Sequence, residues 1–189
     1  MSERISDLYS PDQSQITPTD FDDAYLLSSA NSAKPDLITR QEVLNAQMQW
    51  ASGIVAISKV YLDKGDYRSV ASDMIRRLYD FQAGKVLFKP TLASTVPFRP
   101  NYKGALSYFI GDDYPEDNGF AIRPWANVRF GMQHIQLLNG LAFAMGHYYF
   151  TPVDEADEVK VEFTFGYRKD ESGVVRIMLH HSSLPYEQS

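Results

Sequence analysis

The order of periodicities along the chain predicts an α+β domain. Two stretches of helical spacing come first, strictly alternating apolar residues follow, and an Asn-Gly pair separates two of the apolar runs. Helices followed by a run of strands must bury the sheet against the helices on one face. The expectation is N-terminal helices packed on a strongly curved antiparallel sheet, forming a cone with an internal pocket.

The first helix begins at a capping box, Thr39-Arg40-Gln41-Glu42. The Thr hydroxyl can accept from an amide three residues on, and the Glu can reach back. Val43, Leu44, Met48, Ala51, Ile54, Val55 and Tyr61 then recur at helical spacing, with Gly65 as the stop. Asp66 caps a second helix carrying Val70, Met74, Ile75, Leu78 and Phe81, with Gly84 beyond it. Val86-Leu87-Phe88 reads as a short strand running into Lys89-Pro90-Thr91, and a Pro-rich loop continues to Pro100. Residues 105–110 read as another strand, with residues 119–122 pairing to it across an acidic turn. Residues 128–138 and 141–150 flank Asn139-Gly140, the strongest short hairpin signal, because both turn residues need positive φ. Val159, Val161, Phe163 and Phe165 alternate with Lys160, Glu162 and Thr164. Asp170 to Gly173 turns the chain, and residues 174–183 return it. Residues 1–36, rich in Ser, Asp, Pro and Gln, read as a polar N-terminal tail or arm; residues 37–189 form the domain.

Composition narrows the function. The 189 residues carry 44% hydrophobic residues, enough for a core, and a net charge of −6 with no Lys/Arg cluster. Nucleic acid and anionic membrane surfaces are therefore poor partners. There is no cysteine, so disulfides, thiolate metal sites and a Cys nucleophile are excluded. No apolar run reaches the roughly 18 residues that a membrane-spanning helix needs. The polar start of the chain lacks the apolar core of a secretory signal, so a cytoplasmic location is expected.

The last strand ends Ile177-Met178-Leu179-His180-His181-Ser182-Ser183-Leu184-Pro185. Neighbours on a strand point to opposite faces. Val175, Ile177, Leu179, His181 and Ser183 share one face, the more apolar one, so His181 and Ser183 are expected on the core side at the pocket. A β-bulge would reverse that assignment. The residues alone also read as an ordinary strand pair of His and a strand-end pair of Ser, and Thr91 and Tyr108 as ordinary strand and core residues. Adjacent His on a regular strand diverge, and His134 and His147 lie on another hairpin, which speaks against a metal site.

Several segments together resemble the iota class of carbonic anhydrases. They are Val86 to Thr91, Phe98-Arg99-Pro100, Ser107-Tyr108-Phe109, Glu116 to Ala121, Trp125, Gly146 to Phe150 and His180 to Pro185, spread over residues 39–186. That class is similar in fold to nuclear transport factor 2 and to the association domain of calcium/calmodulin-dependent kinase II. The resemblance implies reversible hydration of carbon dioxide to bicarbonate; members of the class are described both as metal-dependent and as working without metal, and the metal-free form, with no other cofactor, is expected here. In its metal-free form the class implies a Thr, a Tyr, a His and a Ser around bicarbonate; the Thr and Tyr map by motif to Thr91 and Tyr108, and strand parity places the His and Ser at His181 and Ser183, with His180 and Ser182 open by motif and Thr95 a weaker rival of Thr91. A neutral His is suited to take a proton from water near pH 7, which makes His181 the candidate base. A homodimer is expected. The alternative is a non-catalytic oligomerisation or ligand-binding module of the kinase association-domain type, since fold alone does not separate the two. An isomerase or dehydratase ranks last, because no carboxylate falls on an inward strand position.

Overall fold

The computed structural model describes residues 37–154 and 157–187. The expected polar arm, residues 1–36, lies outside the described residues.

Helix α1 spans Arg40–Leu62 and starts at the expected capping box. Thr39 accepts from the Glu42 amide, and the Glu42 side chain accepts from the Thr39 amide. Helix α2 spans Tyr67–Leu78 behind Asp66, whose carboxylate accepts from the Ser69 amide. It stops at Leu78, so Phe81 lies beyond it, and Tyr79 is already extended. The two helices pack on each other, and α1 lies against the sheet.

Residues 105–110 are helical, a correction to the expected strand. Helix α3 spans Tyr102–Ile110, with Asn101 capping the Gly104 amide and Gly111 closing it at φ 70. A short apolar run does not separate strand from helix by itself; here the Asn cap and the left-handed Gly decide. Residues 119–122 do not pair with it and instead make a 3-10 turn, Phe120–Ile122.

Among the described residues five strands make one sheet: β1 (Leu87–Lys89), β2 (Trp125–Leu138), β3 (Leu141–Pro152), β4 (Val159–Lys169) and β5 (Val175–Ser183). Their order is β1-β5-β4-β3-β2. The last four form the expected antiparallel meander, but β1 joins β5 in parallel, so the sheet is mixed rather than antiparallel throughout. Asn139 and Gly140 both take positive φ, 38 and 87, at the β2–β3 turn.

Among the described residues the sheet has three register shifts, one of them between Trp125 and Asn127 at the start of β2. In β2 the register slips between Phe130 and Gln133, opposite Gly146 on β3. A Cβ at Gly146 would stand 2.3 Å from the Met132 carbonyl oxygen, so only glycine admits this approach. In β5, Leu179 pairs with Gly166 but Ile177 pairs with the next residue, Tyr167, leaving Met178 as the extra residue. The inner face of the sheet is aromatic, with Tyr148, Phe150, Phe163, Phe165 and Tyr167 all buried, and Trp50 of α1 lies stacked on Tyr148 at 5.5 Å.

Candidate active site

The Met178 bulge decides which side of β5 faces inward. Ile177 points into the core, and without the bulge Leu179, His181 and Ser183 would follow it. With one residue added, the inward positions become His180 and Ser182, which are 2% and 3% exposed. The expectation that His181 and Ser183 stand on the core face is thereby corrected. His181 is exposed and Ser183 half-buried, in a cleft on the outer face with His134, His147 and Glu162. Among the described residues, no group of three or more His, Asp and Glu is arranged to hold a metal ion.

His180 is held from every side. Its ring lies between Phe88 of β1, at 4.9 Å, and Phe165 of β4, at 4.2 Å, with the Trp50 indole edge-on at 5.4 Å. Phe88 and Phe165 are its register partners in the two flanking strands, so the sheet itself builds the sandwich. His180 Nδ1 lies 2.8 Å from the Tyr79 hydroxyl, which accepts from Trp50 Nε1 at 2.9 Å. His180 Nε2 lies 3.0 Å from Ser182 Oγ and 3.5 Å from Tyr148 Oη. Burial, with a smaller contribution from His181, pushes the His180 pKa down to about 3, so the ring is neutral at physiological pH.

Tyr148 and Tyr108 bring two phenols to the same region, both with pKa values raised by burial. Ser182 and Thr91 favour the ionised form of Tyr148 through hydrogen bonding, and Thr91 does the same for Tyr108, so Thr91 stands beside both rings. Among the described residues Tyr108 Oη is buried without a hydrogen-bond partner, although the Leu92 backbone and Thr91 favour its ionised form. A buried hydroxyl without a partner marks a place that a ligand atom can satisfy. Tyr108 also lines a cleft of about 340 Å³ with Leu92, Asn118, Phe120 and Arg123. Thr95, the rival of Thr91, is turned away, with its amide donating to Glu116.

The loop carrying Thr91 and the helix carrying Tyr108 share one anchor. Arg99, fully buried, donates to Glu116 and to both oxygens of Asp117 at 3.0 Å and stacks on Tyr114. Glu116 accepts from the amides of Ser94, Thr95 and Val96, which hold its carboxyl down at about 2. Asp117 accepts from Ser107, the neighbour of Tyr108, at 2.6 Å.

Of the four residues expected at the site, Thr91 and Tyr108 are brought together; His181 and Ser183 face the other way, and the inward positions are held by His180 and Ser182, the neighbours that the motif left open. Tyr148, Tyr79 and Trp50 were not singled out as site residues. Tyr148 lies inside the quoted Gly146 to Phe150 segment, whereas Tyr79 and Trp50 carry no signal beyond being aromatic on helical or linking segments.

The arrangement defines a class of protein: a helix-backed curved sheet whose inner face presents uncharged hydroxyls and one imidazole in an aromatic wall. A nuclear transport factor 2-like protein from Salmonella enterica shares the fold at a TM-score of 0.50 and 12% identity, over 79% of this chain and 92% of that one. Closer matches fix the family. The family model for metal-independent carbonic anhydrases matches residues 41–184. The metal-independent carbonic anhydrase of Nostoc sp. strain PCC 7120 is 44% identical over 156 residues, 80% of this chain and 76% of that protein. The crystal structure of a cyanobacterial iota-carbonic anhydrase complexed with bicarbonate superposes at a TM-score of 0.78 with 40% identity, covering 84% of this chain and 99% of that one. The chain belongs to the metal-independent carbonic anhydrases, and its activity is the reversible hydration of carbon dioxide.

Proposed function

We propose that hydration of carbon dioxide takes place at the buried cluster of Thr91, Tyr108, Tyr148, His180 and Ser182, and that bicarbonate binds there. The observation that carries this reading is the buried Tyr108 hydroxyl, without a hydrogen-bond partner among the described residues, beside a Thr91 that also acts with Ser182 on the Tyr148 hydroxyl, 3.5 Å from His180 Nε2. Carbon dioxide has no net dipole and suits a wall of Phe88, Phe165 and Trp50. The hydration product gains negative oxygens, and preorganised donors in a water-poor site stabilise that charge as it develops. Hydroxyls and a neutral imidazole supply such donors without a fixed positive charge that would hold the anion after the reaction. The attacking water gains most from being oriented, since positioning alone supplies a large share of such barriers. The bicarbonate bound in the cyanobacterial relative supports the same ligand for this chain.

The test is stopped-flow carbon dioxide hydration by chelator-treated protein whose metal content is checked by mass spectrometry. Undiminished hydration at substoichiometric metal is the expected result. Activity that appears only on adding zinc or manganese overturns the hydroxyl-and-imidazole site, and activity in neither state overturns the catalytic reading.

Two coarser features complete the proposal. No helix among the described residues is long and apolar enough to cross a membrane, and the cysteine-free composition fits a reducing compartment such as the cytoplasm. A homodimer, the commonest closed oligomer, has exposed Met132 and Met145 on the outer sheet face as apolar contact area. Sedimentation showing only monomer at micromolar concentration would refute it.

A further inference from the structure

The Trp50–Tyr79–His180 chain has a direction. An indole N–H can only donate, so Tyr79 Oη accepts from Trp50. Tyr79 is 1% exposed, and among the described residues its hydroxyl meets Trp50 and His180 as hydrogen-bond partners. The phenol hydrogen must therefore go to His180 Nδ1. The opposite arrangement would aim two donors at one oxygen and strand the phenol hydrogen among Phe81, Phe88 and Phe109. With Nδ1 accepting, a neutral ring carries its proton on Nε2, the nitrogen that faces Ser182 and Tyr148.

We infer that Trp50 and Tyr79 are positioning residues that lock His180 as the Nε2–H tautomer, so that the ring donates toward Ser182 and the substrate oxygens and does not take the proton of the attacking water. This rests on the hydration reading above and deepens it. His180 Nε2 donates to Ser182 Oγ, and the Ser182 hydroxyl hydrogen then points away from the ring, to the side of the Tyr148 hydroxyl, where a product oxygen can take its place as acceptor. As water adds, a C–O bond forms, one C=O π pair moves onto its oxygen as negative charge, and one water O–H bond breaks; the proton goes to a second water or a buffer base, because the lone pair of Nδ1 is used by Tyr79 and Nε2 already bears hydrogen. The low pKa of the buried ring agrees, since it leaves His180 no appetite for a proton near neutrality.

The experiment is a long-range ¹H–¹⁵N spectrum of the full chain, labelled with ¹⁵N-histidine, at pH 7. His180, assigned by its absence in His180→Gln, is expected to show the pattern of an Nε2–H ring. In Tyr79→Phe the lock is removed, the Nδ1–H form is expected to appear, and hydration is expected to fall about tenfold with cooperative unfolding retained. An Nδ1–H ring in the unmutated protein overturns the inference, as does a Tyr79→Phe variant with unchanged tautomer. If Tyr79→Phe fails to fold, the unmutated spectrum alone decides. An unmutated protein with the Nε2–H ring but no hydration activity defeats the functional reading and leaves the tautomer standing; an active protein with the Nδ1–H ring does the reverse.

Discussion

The two sides of β5 present the same chemistry in opposite surroundings. His180 and Ser182 face inward, stacked on aromatic rings and hydrogen-bonded at both ring nitrogens. His181 and Ser183 face outward into an open cleft near Lys89 and Glu162, where partial burial, and after it the charge of Lys89, lowers the His181 pKa. The difference teaches that residue type does not make this site. The wall does, and a single bulged residue, Met178, chooses which His and which Ser meet the wall.

The comparison breaks most visibly if the inner pair is removed. His180→Ala should lower hydration at least about 100-fold, the cost typical of losing one preorganised donor, and Ser182→Ala somewhat less. Stopped-flow rates on variants that still unfold cooperatively measure this, and a full-rate His180→Ala would move the site elsewhere.

A second distinction lies in acid stability. The folded protein keeps His180 neutral down to about pH 3, while the unfolded chain protonates it near 6.5. The unfolded state therefore binds more protons between those values, and stability must fall as pH drops through that window. Glu116 acts in the same direction at lower pH, since its folded carboxyl stays ionised to about 2 against an ordinary value near 4.5. Urea unfolding at pH 7 and pH 4.5 should show the loss, and His180→Gln should shrink the difference between the two. An equal difference in that variant would mean that His180 is not the group responsible.

The smallest effect belongs to the outer pair. His181→Ala and Ser183→Ala should stay within about twofold of the parent rate; a large loss in either would mean that the outer cleft takes part in the reaction.

Much of this was legible beforehand, and the gaps have physical causes. The capping box at Thr39, the Asp66 cap, the Asn139-Gly140 turn and the β4 alternation are local signals, written in short runs of residues, and all appear in the fold. The α3 segment does not declare its type because a six-residue run with five apolar residues fits either period, and its deciding signal, Asn101, sits outside the run. Thr91 and Tyr108 lie in motifs far apart in the chain, and the fold brings them side by side. The phase of β5 could not be settled by parity, because Met178 is a bulge only by virtue of how Gly166 and Tyr167 pair across from it. Trp50 and Tyr79 join His180 through contacts separated by up to about a hundred residues, which no local pattern encodes.

The Arg99 anchor has a consequence in brine. Arg99 and Asp117 are 0% and 2% exposed, whereas the nearby Arg68–Asp112 and Lys103–Asp113 pairs are largely open to solvent. At 1 M salt the Debye length is about 3 Å, short enough to dissolve the open pairs but of little effect on a pair that mobile counterions do not reach. The loop bearing Thr91 and the helix bearing Tyr108 should thus keep their spacing in concentrated electrolyte, even as the surface around them loses its ionic contacts.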